Sequence, residues 1–254
     1  AGPQDRADRQ PRACAADRDH GAQGAVHAQR TRDAGEREQQ MVNDVSVLAE
    51  LALYVARLPP ENPLALRLCS AGATLLGASG GSLTLTSTPG APFVLAATDG
   101  VAERVESLQE VLGAGPRVEA QRTARPATLV VGDAPEAPSS LAQELRAAVG
   151  PLRVSAFPML VAGSVLGVLS VHMPSEARLT RQDDEALVVA SIIGGALLRD
   201  VDDESSTMLG GWPARARVHQ ATGMVIAQLR VTPDDALTLI RAHAYAQGTT
   251  VAAV

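Results

Sequence analysis

The chain contains no lysine: all 22 of its basic residues are arginine. The two cations differ chemically only at particular sites, so a bias this complete points to a GC-rich coding sequence rather than to one binding surface. Aromatics are almost as scarce, with two Phe, two Tyr and one Trp among 254 residues. That argues against RNA-recognition and cold-shock folds, which stack bases on clustered aromatic side chains. Two cysteines, Cys14 and Cys69, cannot build a disulfide scaffold, and no C-x-x-C pair suggests zinc; a reducing, cytoplasmic compartment is expected. Long apolar runs are missing too. Met159–Val171 and Ala186–Leu198 fall short of the roughly 20 residues a spanning helix needs, and the N-terminus has no apolar core behind a basic start. No membrane partner is expected.

What is present is a foldable chain, 46% hydrophobic and 20% charged. Residues 1–40 stand apart. They hold seven Arg against seven acids and one large aliphatic, Val26, too little apolar surface to offset ordering entropy, so they are expected to be a disordered extension. Met41 is the expected natural start. From there to residue 200 helical and strand patterns alternate. Val47, Leu48, Leu51, Tyr54, Val55 and Leu58 make an amphipathic stripe that Pro59-Pro60 stop. Asn62-Pro63 predicts an N-cap and first-turn proline for a second helix reaching Gly77. Strands are predicted at Ser82–Ser87, Phe93–Thr98 and Ala127–Val131, with a helix near Glu103–Leu112 before the loop Gly113-Ala114-Gly115-Pro116. Ser140-x-x-Gln143 predicts a capped helix to Val149, and Val154–Leu160 with Val165–His172 a hairpin around Ala162-Gly163. Thr180-x-x-Asp183 then predicts the cap of a long helix through Leu187, Ala190, Ile193 and Leu197. Its apolar stripe and Gly194-Gly195 suggest a homodimer contact. The expected class is α+β, an antiparallel sheet flanked by helices.

Residues 201–213 read as a linker, and the charge changes across it. Residues 41–200 carry 11 Arg against 16 acids, net −5, whereas residues 210–254 carry four Arg against two acids, net +2. The C-terminal module, residues 214–254, is expected to be all-α. Val218, Ala221, Val225 and Leu229 share one helix face, and Thr232-Pro233-Asp234-Asp235 is a strong start signal for a helix that Gly248 stops.

Most chemical motifs dissolve on inspection. Gly77-Ala78-Ser79-Gly80-Gly81 has the spacing of a nucleophile elbow, but lies between a helix and a strand in the wrong order. Gly113-Ala114-Gly115 lacks the third glycine of a dinucleotide loop and is followed by Pro116. The histidines are scattered without metal-ligand spacing, so no metal is expected. No enzymatic activity is expected either. Gly223 lies mid-helix, where it costs about 1 kcal/mol relative to Ala, and close approach of another helix is the expected compensation. Arg241 and Tyr245, four apart, share a helix face.

The run Val218-His219-Gln220-Ala221-Thr222-Gly223-Met224-Val225, with Thr232–Leu237 and Leu239–Ala244, resembles the ANTAR module, the RNA-binding antiterminator output domain of bacterial regulators. Gly113–Ala120, Phe157-Pro158-Met159, Gly163-x-x-Leu166-Gly167-Val168-Leu169 and Leu179-Thr180-x-x-Asp183 resemble a GAF sensor domain. The resemblance covers residues 41–254 and implies a signal-responsive regulator of transcription antitermination. It places a GAF-like sheet over residues 41–200 and an ANTAR-like helical domain over residues 214–254. Arg241 and Tyr245 would contact hairpin loops in nascent RNA, with Arg215 and Arg217 adding phosphate attraction. Ala221, Gly223, Ala236 and Ala244 would pack the helices. A small-molecule ligand is implied for the GAF pocket, with Cys69 and His172 as the candidates for a bilin or haem. The chain departs from the family in having Thr249 where a basic residue is common. It also ends at Val254, where a third helix should begin, so a truncated ANTAR domain is expected. The alternative function is then a ligand-binding or dimerisation module without RNA output. A GAF-fold sulfoxide reductase is a third reading, which the lack of clustered cysteines disfavours.

Overall fold

The computed structural model describes residues 42–87, 90–133, 139–202, 212–249 and 251. The expectations for residues 1–40, for most of the linker and for a third C-terminal helix lie outside these residues, as do the side chains of Arg215 and Arg217. The chain divides into two compact units, residues 1–46 and 47–254. The first is described only from residue 42, where a helix begins; the second holds the sheet and all the later helices.

That helix, α1, spans residues 42–57 and ends before Pro59. Val47 and Leu51 are buried, Tyr54 and Val55 half-buried, but Leu48 is exposed. Next come α2 (Leu64–Leu75), β1 (Gly80–Ser87), β2 (Gly90–Ala97), α3 (Gly100–Leu112), α4 (Pro116–Thr123), β3 (Ala127–Val131) and α5 (Ser140–Val149). The hairpin β4 (Leu152–Val161) and β5 (Ser164–Met173) leads into α6 (Asp183–Asp202), and α7 (Trp212–Leu229) and α8 (Pro233–Ala246) complete the order. The five strands form one antiparallel sheet in the order β2-β1-β5-β4-β3. An α+β domain with a sheet flanked by helices, followed by a helical module, is therefore what the chain builds.

One face of the sheet carries the main core. Leu83, Phe157, Met159, Leu169 and Val171 meet Leu68 of α2, Leu76 just past its end, and Ala190, Ile193 and Leu197 of α6, all buried. On the other face lie α3, α4 and α5, with a second cluster of Val105, Leu108, Leu141, Leu145, Leu152 and Val154.

The structure corrects several local expectations. Pro116 begins a helix, α4, that was read as loop: Gly115 adopts φ 123° at its N-cap and Pro116 occupies the first turn. A proline unsuited to a phosphate-binding backbone is well suited to a helix start, where no N–H is needed. The cap of α5 is Ser139, whose hydroxyl accepts from the Ala142 N–H at 3.2 Å; Ser140 is the first helical residue. Pro63 sits at the N-cap of α2 rather than inside its first turn. Thr180 does not cap α6, whose first carbonyl acceptor is Gln182. Its N–H donates to the Leu76 carbonyl at 3.1 Å and its hydroxyl to Leu75 at 3.3 Å, tying the segment to the end of α2. There Gly77 is required twice: it takes φ 72°, and a Cβ would collide with Thr180. Finally, the α6 stripe expected at a dimer contact is spent on the chain's own sheet. Ala190, Ile193 and Leu197 are fully buried, and a Cβ on Gly194 would come within 3.0 Å of Met159.

Candidate nucleic-acid interface

The C-terminal helices are cut out by their ends. Thr232 caps α8, its hydroxyl accepting from the Asp235 N–H at 3.2 Å, Pro233 opens the helix, and Gly248 takes φ 61° just beyond it. α7 ends with Arg230 at φ 54°, a left-handed conformation that costs a non-glycine residue roughly 1–2 kcal/mol. The turn lets α8 pack back on α7.

The shared face is small and apolar. Ala236 and Ala244 are fully buried, and Val218, Ile240, Ala244 and Val251 cluster together with Val111 of α3; Ala221, Val225 and Leu237 are partly buried against them. Gly223 behaves otherwise. It is exposed, and a Cβ there would meet nothing within 4 Å, so the expected close helix approach is not made within this chain. Ala227, Ala242 and Ala246 are exposed as well, leaving a helix surface of small residues rather than a tightly packed one.

Arg241 and Tyr245 do share a face of α8, beside the buried row of Ala236, Ile240 and Ala244. Tyr245 remains 49% exposed, and its hydroxyl donates to Glu144 Oε1 of α5 at 2.9 Å. That bond to a carboxylate raises the phenol's pKa. Arg241 is half-buried beside Gly113 at the end of α3. Burial, with the neighbouring Glu106 carboxylate, raises the pKa of the Glu110 carboxyl overall, against the opposing pull of the Arg117 and Arg241 guanidiniums. Of the two residues expected to meet RNA, Tyr245 thus bonds a carboxylate of the α+β domain, and Arg241 is half-buried against the end of α3.

Inside that domain lies a polar cluster that sequence reading missed. Glu106 and Arg117, 1% and 3% exposed, form an ion pair at 2.8 Å between α3 and α4. Ser82 donates to Glu106 Oε1 at 2.7 Å, and Gln109 Oε1 accepts the Arg117 backbone N–H at 2.8 Å. The signal was available. Glu106 and Gln109 fall on the same helical face as Ala102 and Val105, so the buried face of α3 carries a carboxylate that needs a cation. The strand hydroxyls of Ser82 and Ser155 are packed away, Ser82 against Glu106 and Ser155 against Thr128 at 2.9 Å. An open pocket lies elsewhere among the described residues, about 530 Å³ between the Gly113–Pro116 loop, β3 and the start of α5, lined among others by Pro116, Arg122, Leu129 and Leu141.

The two candidate cofactor residues are otherwise engaged. His172 is buried with its Nε2 3.1 Å from both carboxylate oxygens of Asp99, the N-cap of α3. Cys69 is fully buried in α2, and burial, reinforced by Glu106 and Asp99, pushes its thiol up to about 12. A protonated, inaccessible thiol does not fit covalent attachment of a chromophore. Among the described residues no group of His, Cys, Asp and Glu could hold a metal ion, and no helix is long and apolar enough to cross a membrane.

Residues 213–254 match the ANTAR domain. The α+β part is similar to solved GAF domains. One, from a phosphoenolpyruvate-protein phosphotransferase of Coxiella burnetii, is 18% identical over 65% of this chain and 98% of that one, with a TM-score of 0.44. The cyanobacteriochrome TePixJ GAF domain is 17% identical over 57% and 93%, TM-score 0.38. The nlh2 GAF domain of A. aeolicus is 11% identical over 62% and 94%, TM-score 0.37. No curated protein matches the chain.

Proposed function

We propose that this chain, an ANTAR domain behind a GAF-like α+β domain, is a signal-responsive regulator that binds hairpin RNA in nascent transcripts and disfavours termination. The observation that carries the reading is the ANTAR match over residues 213–254, within which Arg241 and Tyr245 project from one face of α8. An arginine there can pair with phosphate or a guanine edge, and a tyrosine can stack on an unpaired base. The pocket beside α4 supports a small-molecule signal, since its volume suits an organic ligand. In this reading the chain works as a regulator and not as an enzyme. The homodimer finds its support away from α6, on α1, where Ala49, Ala52, Leu53 and Ala56 lie opposite the buried Val47 and Leu51, with Leu53 59% exposed.

Fluorescence anisotropy with a labelled pool of tandem stem-loop RNAs tests the reading. Tyr245→Ala is expected to weaken binding about tenfold, the equivalent of one lost stacking contact. Unchanged affinity in both Tyr245→Ala and Arg241→Ala would place the RNA surface elsewhere.

A further inference from the structure

The residues that would meet RNA are held by the domain in front of them. The Tyr245 hydroxyl is bonded to Glu144 of α5, and Arg241, one turn earlier, lies half-buried beside Gly113 at the end of α3. Beneath them Val111, from the turn of α3 that carries Glu110, completes the apolar cluster of Val218, Ile240, Ala244 and Val251. The two segments carry opposite formal charge, net −5 for residues 41–200 against net +2 for residues 210–254.

We infer that the α+β domain masks its own RNA-binding helix, with Glu144 engaging Tyr245 and the end of α3 covering Arg241 in competition with RNA. The inference rests on the RNA-binding reading above. A carboxylate bonded to the phenol both occupies it and repels a polyanion, so helix and RNA cannot be joined until the module undocks. The contact is of a kind that can open: one apolar cluster with a single residue from α3, and the Tyr245–Glu144 bond at its edge. The pocket sits between the same two helix ends. Gly113 and Leu141 line it, Gly113 lies next to Arg241, and Glu144 is three residues beyond Leu141. An occupant that shifts the end of α3 against α5 changes how Val111 and Glu144 together hold α8.

Two measurements on the full chain test this, hydrogen exchange of Trp212–Ala246 and anisotropy with the same tandem stem-loop RNA pool. Val111→Asp is expected to raise exchange across α7 and α8 and to tighten RNA binding about tenfold or more. Tyr245→Phe keeps the stacking ring but loses the bond to Glu144. It is expected to bind about two- to fivefold more tightly, opposite in sign to Tyr245→Ala, and Glu144→Ala is expected to match it. If Val111→Asp fails to fold, these two surface variants carry the test. Exchange and affinity unchanged in all three variants overturns the mask, and raised exchange with unchanged affinity overturns the competition. Raised exchange with no RNA bound by any variant, wild type included, overturns the RNA-binding reading on which the competition stands.

Discussion

The two parts of this molecule solve the burial problem differently. The α+β domain encloses both faces of its sheet, and side chains as large as Phe157, Met159 and Ile193 are wholly removed from water. The helical module has two described helices and a handful of buried residues, one of which, Val111, is borrowed from α3. Met224, Leu229 and Leu239 stay exposed. A piece this small buries too little of its own surface to be strongly stable alone, so its order depends on what it docks against. The lesson is that a weakly self-sufficient module is one whose position another surface can control.

That contrast can be broken from either side. Phe157→Ala should cost about 3–5 kcal/mol in urea unfolding, because the sheet is packed on both sides and has little room to collapse into the cavity. Ile240→Ala should cost about 2–5 kcal/mol, but be confined to the module: α7 and α8 exchange faster while the α+β transition stays in place. An equal loss in both parts would show that they unfold as one unit. Gly223→Ala should stabilise by about 1 kcal/mol, read as a higher thermal midpoint for the module, since the site is helical and open. Destabilisation there would mean that another surface covers Gly223.

The smallest effect concerns pH. Burial pushes the Asp99 carboxyl up, but bonds from Thr98, the Ala102 N–H and His172 outweigh it, so its pKa is lowered in the folded protein. Such a group contributes stability above its unfolded pKa, and the contribution disappears as pH falls through the lower, folded value. Acid titration of the melting temperature should therefore be flatter for Asp99→Asn than for the parent chain, and an identical slope would remove Asp99 from the account.

Element type was largely legible, because period and punctuation are local: the β4–β5 hairpin, the helix before Gly113 and the α8 cap are all set by neighbours in the chain. What failed was the choice between adjacent signals. Ser139 and Ser140 offer the same hydroxyl, and only packing decides which begins the helix. Thr180 sits at capping distance from Asp183, yet the end of α2 claims its hydroxyl and its N–H. In the candidate site, the shared face of Arg241 and Tyr245 was legible from their spacing, whereas Gly223 was assigned a neighbour it does not have. The α6 stripe shows the same limit, since an apolar face announces burial without saying against what.

The sequence by itself determined the alternation of helices and strands, the basic helical C-terminus and the pairing of Arg241 with Tyr245 on one helix face. These depend on residues within a few positions of one another, where backbone geometry sets distance. Only the tertiary structure decided that α6 faces its own sheet, that Glu106 finds Arg117, and that Tyr245 meets Glu144. Those partners are brought together by the sheet order and by the docking of α8, and no local periodicity records which distant group a side chain will reach.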